Sequence, residues 1–320
     1  MSLVDEVLEA EPRIRSYVRE TPLETTPFLA DSARAPVHLK LECLQVSGSF
    51  KYRGAVNKLL SLTDEERQRG IVTASSGNHA NAIAHALNLL GGRGTIFLPE
   101  TVSKAKVDGL APYDVELRFV GADSVAGERE ASRLAEQEGR VYVSPYNDPK
   151  IVGGQGTIAI ELERQLDLSG LSAVFVPVGG GGLIGGIASY LKSRRPEIRI
   201  IGCQPERSCV MYESVRKGKV LDLPSEPTLA DGTAGGVDPE TITFAVCRDL
   251  VDEFVLATED EIMEAMRWMI DKHSMLIEGA AALSIAAFRK REKDYQDGDV
   301  VLVLSGRRVS RETLERVIHS

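Results

Sequence analysis

Apolar positions along the chain fall into two alternating rhythms. Short runs dense in Val, Ile, Leu and Phe recur at VHLKLE (37–42), GIVTAS (70–75), GTIFLP (94–99), VELRFVG (115–121), RVYVSP (140–145), AVFVPV (173–178), IRIIGC (198–203), VDEFVLA (251–257) and VVLVLS (300–305). Between them the apolar residues return at helical spacing and predict helices over 4–18, 50–62, 79–90, 124–138, 151–166, 183–194, 259–272, 279–290 and 310–318. Strand followed by helix, repeated along the chain, predicts parallel twisted sheets covered by helices, an α/β fold. Glu259, Asp260 and Glu261 place negative charge at the positive end of one helix, and Ser310 stands where it can cap the last.

With 320 residues, the chain exceeds what one core usually fills, so two α/β lobes are expected. Repeats, low-complexity tracts and charged tails are missing from the pattern, and only ten residues follow Ser310, so no regulatory module is expected there.

Charge and composition narrow the chemistry. A formal charge of -9 disfavours a nucleic-acid partner, because phosphate backbones are bound by basic faces. No apolar run approaches the roughly 20 residues of a membrane span. The acidic start MSLVDEVLEAEPR does not read as a signal peptide, so a cytoplasmic location without membrane contact is expected. Cys43, Cys203, Cys209 and Cys247 lack CxxC spacing, and the five histidines form neither HExxH nor a cluster with carboxylates, so no metal is expected.

Three segments carry candidate chemistry. In Gln45-Val46-Ser47-Gly48-Ser49-Phe50-Lys51-Tyr52-Arg53-Gly54 a loop of small residues runs into a helix with Lys51 in its first turn. The helix dipole and partial burial both favour a neutral, nucleophilic amine there, of the kind that makes Schiff bases, although an exposed lysine behind a Ser49 cap fits the local pattern too. Val178-Gly179-Gly180-Gly181-Gly182-Leu183 links a strand to a helix, and consecutive glycines let backbone N–H groups converge on a phosphate. Gly180, Gly182 and Gly185 also satisfy GxGxxG, but the acid that a dinucleotide site wants after the next strand is Gln204, which favours a single phosphate. Ser75-Ser76-Gly77-Asn78-His79 joins another strand to a helix and offers hydroxyls, an amide and N-terminal donors suited to a substrate carboxylate, or else serves as a capping loop.

Together the segments SGSFKYRGA (47–55), SSGNHA (75–80), SPYNDPKIVGGQGTIAIE (144–161), VGGGGLIGG (178–186), TLADGTAGG (228–236) and LSG (304–306), in this order, resemble the fold type II (β-family) pyridoxal-phosphate enzymes, within the threonine/serine dehydratase and serine racemase group. The resemblance covers nearly the whole chain. It implies the two-lobed, tryptophan synthase β-like architecture, with a large domain from 1–65 and 147–320, a small mobile domain over 66–146, and a homodimer. It implies pyridoxal 5'-phosphate carried on Lys51, with Phe50 against its ring, Asn78 on its ring hydroxyl, Gly179, Gly180, Gly181, Gly182 and Leu183 on its phosphate, and Ser305 facing the pyridine nitrogen. Ser76 would stand opposite Lys51 as a second acid-base group. Ser75, Ser76, Asn78 and His79 would hold the carboxylate of an amino-acid substrate. The reaction implied is loss of water and then ammonia from a β-hydroxy-α-amino acid to give a 2-oxo acid. A racemase shares every cofactor residue, and a dehydratase of hydroxyectoine breakdown also resembles TLADGTAGG.

The chain departs from the group in three places. Gln204 and Val210 stand where relatives of this group place an acidic pair for a divalent cation, so none is expected. Arg307 follows the Ser-Gly pair where glycine or asparagine is usual; if strand geometry continues, it points with Ser305 toward the cofactor or the site entrance, and otherwise it is a solvated arginine. Ala234, Gly235 and Gly236 are small where the group lines the β-substituent, which either makes room for a β-aryl substrate such as phenylserine or serves only a turn.

Overall fold

The computed structural model describes residues 2–29, 35–121 and 124–319. Two sheets organise the chain. The larger is six-stranded, in the order β1 (Leu23–Thr26), β2 (Val37–Lys40), β10 (Asp299–Val303), β7 (Leu171–Pro177), β8 (Arg199–Pro205) and β9 (Glu253–Ala257). The smaller runs β5 (Glu116–Phe119), β4 (Gly94–Leu98), β3 (Ile71–Ala74) and β6 (Val141–Tyr142). Every pairing is parallel except β1 with β2, an antiparallel edge. The runs VVLVLS and AVFVPV become neighbouring central strands, which explains their lack of polar alternation, since a parallel strand covered on both faces is apolar throughout.

Among the described residues the helices are α1 (Leu3–Ile14), α2 (Lys51–Ser61), α3 (Asp64–Arg69), α4 (Asn78–Leu90), α5 (Lys104–Asp108), α6 (Ser124–Glu138), α7 (Pro149–Gln165), α8 (Gly182–Arg194), α9 (Val210–Lys217), α10 (Ile242–Leu250), α11 (Glu259–His273), α12 (Gly279–Arg291) and α13 (Arg311–His319). Helices α3, α5, α9 and α10 were not expected from periodicity; α3 and α5 bury no side chain, so no apolar repeat marks them. The helix expected to reach residue 18 stops at Ile14, where the chain tightens so that the N–H groups of Tyr17 and Val18 share the Ile14 carbonyl. Helix α11 opens with a full capping box, Thr258 exchanging bonds with Glu261, and Ser310 Oγ accepts from the Thr313 N–H at 3.0 Å.

Helix α2 packs between α4 and α7. Its apolar face, Tyr52, Ala55, Val56 and Leu59, packs with Ile83, Ala86 and Leu87 of α4 and with Ile151 of α7. It approaches α7 at a glycine crossing: a Cβ on Gly154 would lie 2.7 Å from the Gly54 Cα. Any larger residue would push α2, and Lys51 one turn away, off its seat. No helix among the described residues is long and apolar enough to cross a membrane.

Candidate active site

The site forms where strands end. Beyond Val303, the last residue of β10, the chain meets the loop that precedes α2: the Cys43 N–H donates to the Leu304 carbonyl at 2.8 Å, the Phe50 N–H to the Ser305 carbonyl at 3.1 Å, and the Arg307 N–H to the Gly48 carbonyl at 3.0 Å. These bonds zip the lysine-bearing loop against Ser305.

Lys51 is the first residue of α2, whose N-cap is Phe50; Ser49 does not cap it. The Lys51 amine is buried, donates to the Pro145 carbonyl at 2.8 Å and lies 5.2 Å from the centre of the Phe50 ring. Burial lowers its pKa to about 8, against the opposing pull of Glu278 and Glu128. Under α2 lies a paired ion network. The Arg53 guanidinium bridges Glu42 (2.7 and 2.8 Å) and Glu161 (2.7 and 2.8 Å), and Glu161 also takes the Lys40 amine at 2.6 Å, all of them fully buried. Burial works to raise the Glu161 pKa, yet Arg53 and Lys40 bring it down to about 2. The network ties α2 to the end of β2 and to α7.

The glycine loop leaves β7 and enters α8 at Gly182. Gly181 holds φ at 85°, a left-handed conformation that glycine adopts without strain. A Cβ on Gly180 would sit 2.4 Å from the Tyr146 ring, and one on Gly179 only 3.1 Å from the Thr233 backbone. The N–H groups of Gly179, Gly180 and Gly181 find no backbone acceptor, and those of Gly182 and Leu183 belong to the open first turn of α8. One segment joins this loop to the lysine: Pro145 supplies the carbonyl that holds the amine, and the ring of its neighbour Tyr146 packs under Gly180.

On the third side, Gly77 caps α4, and Ser75 Oγ accepts the Gly77 N–H at 3.2 Å. Asn78 donates through Nδ2 to both oxygens of Glu278 at 2.9 Å, leaving Oδ1 buried and without a partner. Ser76 is half-buried and its hydroxyl makes no hydrogen bond among the described residues. Ser305 is 2 % exposed with an equally unpartnered hydroxyl, and so is Ser49 at 0 %. Buried polar atoms of this kind normally find partners, so their gathering around one lysine marks a place shaped for another molecule.

Two expectations change on this geometry. The His79 ring turns inward, its Nε2 3.1 Å from the Thr73 hydroxyl, and burial with the nearby Lys51 charge pushes its pKa down to about 3. It therefore presents no charge to a carboxylate; only its main-chain N–H, in the first turn of α4, is placed to do so. Strand β10 ends at Val303, and beyond it an antiparallel bridge between Ser49 and Gly306 keeps the backbone extended up to Arg307. Arg307 is exposed and its side chain lies along Gly48, while the N–H of Arg308 donates to Glu278 at 3.1 Å and its guanidinium reaches Gly109 beside α5. Gln204 is committed elsewhere, accepting the Tyr212 N–H at 2.8 Å, and no cluster of three metal-ligating side chains occurs among the described residues. A Cβ on Gly235 or Gly236 would meet nothing within 4 Å, so the stretch beside Ala234 borders open space.

Sequence reasoning missed Pro145, Tyr146 and Glu278. Glu278 is buried at the start of α12, where burial raises its pKa to about 7 even though Asn78 and Arg308 donate to it. The available signal was an acid directly before GAAALSIAAF, a helix with no polar face to turn toward water.

A lysine amine, a glycine cradle with free N–H groups, and unpartnered hydroxyls between them fit an aldehyde with a phosphate tail. The family model for pyridoxal-phosphate dependent enzymes matches residues 14–306. This chain belongs to that family. The L-threonine dehydratase catabolic TdcB of Staphylococcus aureus is 40% identical over 317 residues, 98% of this chain and 91% of its own length. The structure of maize serine racemase superposes with a TM-score of 0.91 at 31% identity, covering 99% of this chain and 96% of the racemase. The processed form of threonine deaminase isoform 2 from Solanum lycopersicum gives 0.89 at 33% identity, covering 98% and 92%. The fold is thus the α/β architecture of these enzymes, and the cofactor is pyridoxal phosphate.

Proposed function

We propose that this chain removes water and then ammonia from a β-hydroxy-α-amino acid of the threonine type, releasing a 2-oxo acid. It is a pyridoxal-phosphate-dependent lyase of the dehydratase kind, as its curated relatives are. One observation carries the reading: the amine of Lys51, eased to a pKa of about 8, is held by the same short segment that packs under the glycine loop.

In this reading Gly179 to Leu183 would hold the cofactor phosphate through main-chain N–H groups, Phe50 would pack on its ring, Asn78 Oδ1 would take its ring hydroxyl, and Ser305 would face its ring nitrogen. Bound there, pyridoxal phosphate supplies an electron-withdrawing ring that acidifies the substrate Cα–H. Lys51 takes that proton, its lowered pKa making a usable fraction neutral near pH 7 to 8. Ser305 would offer the ring nitrogen a hydroxyl in place of a carboxylate, a partner that does not hold a proton there. Ser75, Ser76 and the first N–H groups of α4 hold the carboxylate and so turn the Cα–H toward Lys51. The open space beside Gly235 and Gly236 supports a β-substituent larger than methyl, up to an aryl group. A small domain over 66–146 closing on a large one, a homodimer and a cytosolic location complete the proposal.

A racemase reading has one specific support, the unbonded hydroxyl of Ser76, free to carry a proton on the face opposite Lys51. A panel of serine, threonine and both phenylserine diastereomers, scored for 2-oxo acid and for the opposite enantiomer, separates the two. Release of 2-oxo acid and ammonia is expected; enantiomer without 2-oxo acid would replace the dehydratase with the racemase.

A further inference from the structure

Helix α10 packs against the glycine loop. A Cβ on Gly181 would come within 2.9 Å of the Thr243 Cβ and 3.0 Å of the Cys247 Sγ, both fully buried residues of that helix. Thr243 Oγ1 donates to the Gly180 carbonyl at 2.6 Å. Its single hydroxyl proton is spent there, because a carbonyl only accepts. In the 2.7 Å contact between the Thr241 and Thr243 hydroxyls, Thr241 is therefore the donor. The result is a directed chain, Thr241 to Thr243 to Gly180, in which each bond strengthens the next. The stretch that carries it is stapled to the segment beneath the loop. The Asp238 N–H donates to the Tyr146 hydroxyl at 2.8 Å, the Thr241 N–H to the Asp238 carbonyl at 3.0 Å, and the Ile242 N–H to Asn147 Oδ1 at 3.0 Å.

The peptide that Thr243 holds lies between two glycines. With no Cβ on either side, its rotation meets little local resistance, so its orientation must be fixed from outside the loop. In a planar trans peptide the carbonyl and the N–H point opposite ways. Anchoring the Gly180 carbonyl on α10 thus turns the Gly181 N–H away from that helix, and it has no backbone acceptor among the described residues. Resting on the placement of the cofactor phosphate in the glycine loop, we propose that Thr243 is a positioning residue for that phosphate: its hydroxyl locks the Gly180–Gly181 peptide with the N–H turned into the cradle. An N–H already aimed at a dianion costs no reorganisation when the phosphate arrives, whereas a peptide free to turn must first be ordered.

The test titrates apoprotein with pyridoxal phosphate and, separately, with pyridoxal, the same aldehyde without the phosphate. Each dissociation constant is read from the rise in absorbance above 400 nm. The wild-type protein is expected to prefer the phosphorylated aldehyde by at least about a hundredfold. Thr243→Val, which keeps the branched shape and removes the hydroxyl, should cut that preference about tenfold by weakening pyridoxal phosphate while leaving pyridoxal within about twofold. Thr243→Ser should restore it. If the valine variant does not fold, Thr243→Ala carries the same expectation. A purely structural role for Thr243 would weaken both aldehydes together, so a variant that keeps the wild-type ratio overturns the inference and leaves the cofactor placement intact. A wild-type protein that takes both aldehydes equally would remove the phosphate from the loop, and the placement would fall together with the inference.

Discussion

Two sets of charged and polar groups surround Lys51, and they are opposites. Beneath α2, Arg53, Lys40, Glu42 and Glu161 are fully buried and answer one another at 2.6–2.8 Å. In the cleft above, Asn78 Oδ1 and the hydroxyls of Ser49 and Ser305 have no partner among the described residues. Charges paired inside the protein hold the lysine in place; polar groups left without protein partners are available to a ligand. Burial alone does not distinguish them, since Ser305 is as buried as Arg53; the completeness of their hydrogen bonding does.

The most direct way to break this contrast is Lys51→Ala. It should abolish the absorbance above 400 nm and lower turnover by about a thousandfold or more, whereas the apoprotein should still fold because the network below is untouched. A yellow, active variant would end the assignment.

Glu161→Gln attacks the other side. It leaves Arg53 and Lys40 undercompensated in the interior and should cost about 3–5 kcal/mol in chemical denaturation of the apoprotein. A loss confined to activity at unchanged stability would mean the network belongs to the chemistry instead.

Glu278→Gln sharpens the contrast through pH. Burial raises the folded-state pKa of Glu278 from an ordinary 4.5 to about 7, so its contribution is complete below about 4.5 and is lost as pH rises through 7. The variant should therefore match or trail the wild-type apoprotein near pH 5 and gain on it by up to about 3 kcal/mol near pH 8. Parallel stability curves across that range would contradict it.

Gly180→Ala places a methyl into the Tyr146 ring and should weaken cofactor affinity about tenfold, measured by titrating apoprotein with pyridoxal phosphate. Gly236→Ala, where a Cβ meets nothing, is the smallest change: stability should move by less than about 0.5 kcal/mol. Its effect should be selective, lowering turnover of a β-aryl substrate more than that of threonine.

Much of this was legible in the chain itself. Periodicity separated strands from helices because side-chain burial repeats every two residues in one and about every 3.6 in the other. The glycine run and the lysine after SGSF announced themselves because each depends on local backbone: a left-handed Gly181 and a helix start at Lys51 need only their own neighbours. The β1 edge, which buries only Thr26, and helices α3 and α5, which bury no side chain, escaped because nothing in them repeats toward a core. What only the folded chain decided was which atoms would find partners. The turn of His79 toward the Val143 carbonyl, the bond from the Arg308 N–H to Glu278, and the burial of Glu278 against Asn78 join residues from distant parts of the chain. Hydrogen bonding and desolvation depend on neighbours in space, and the order of residues names those neighbours only after the sheets have paired.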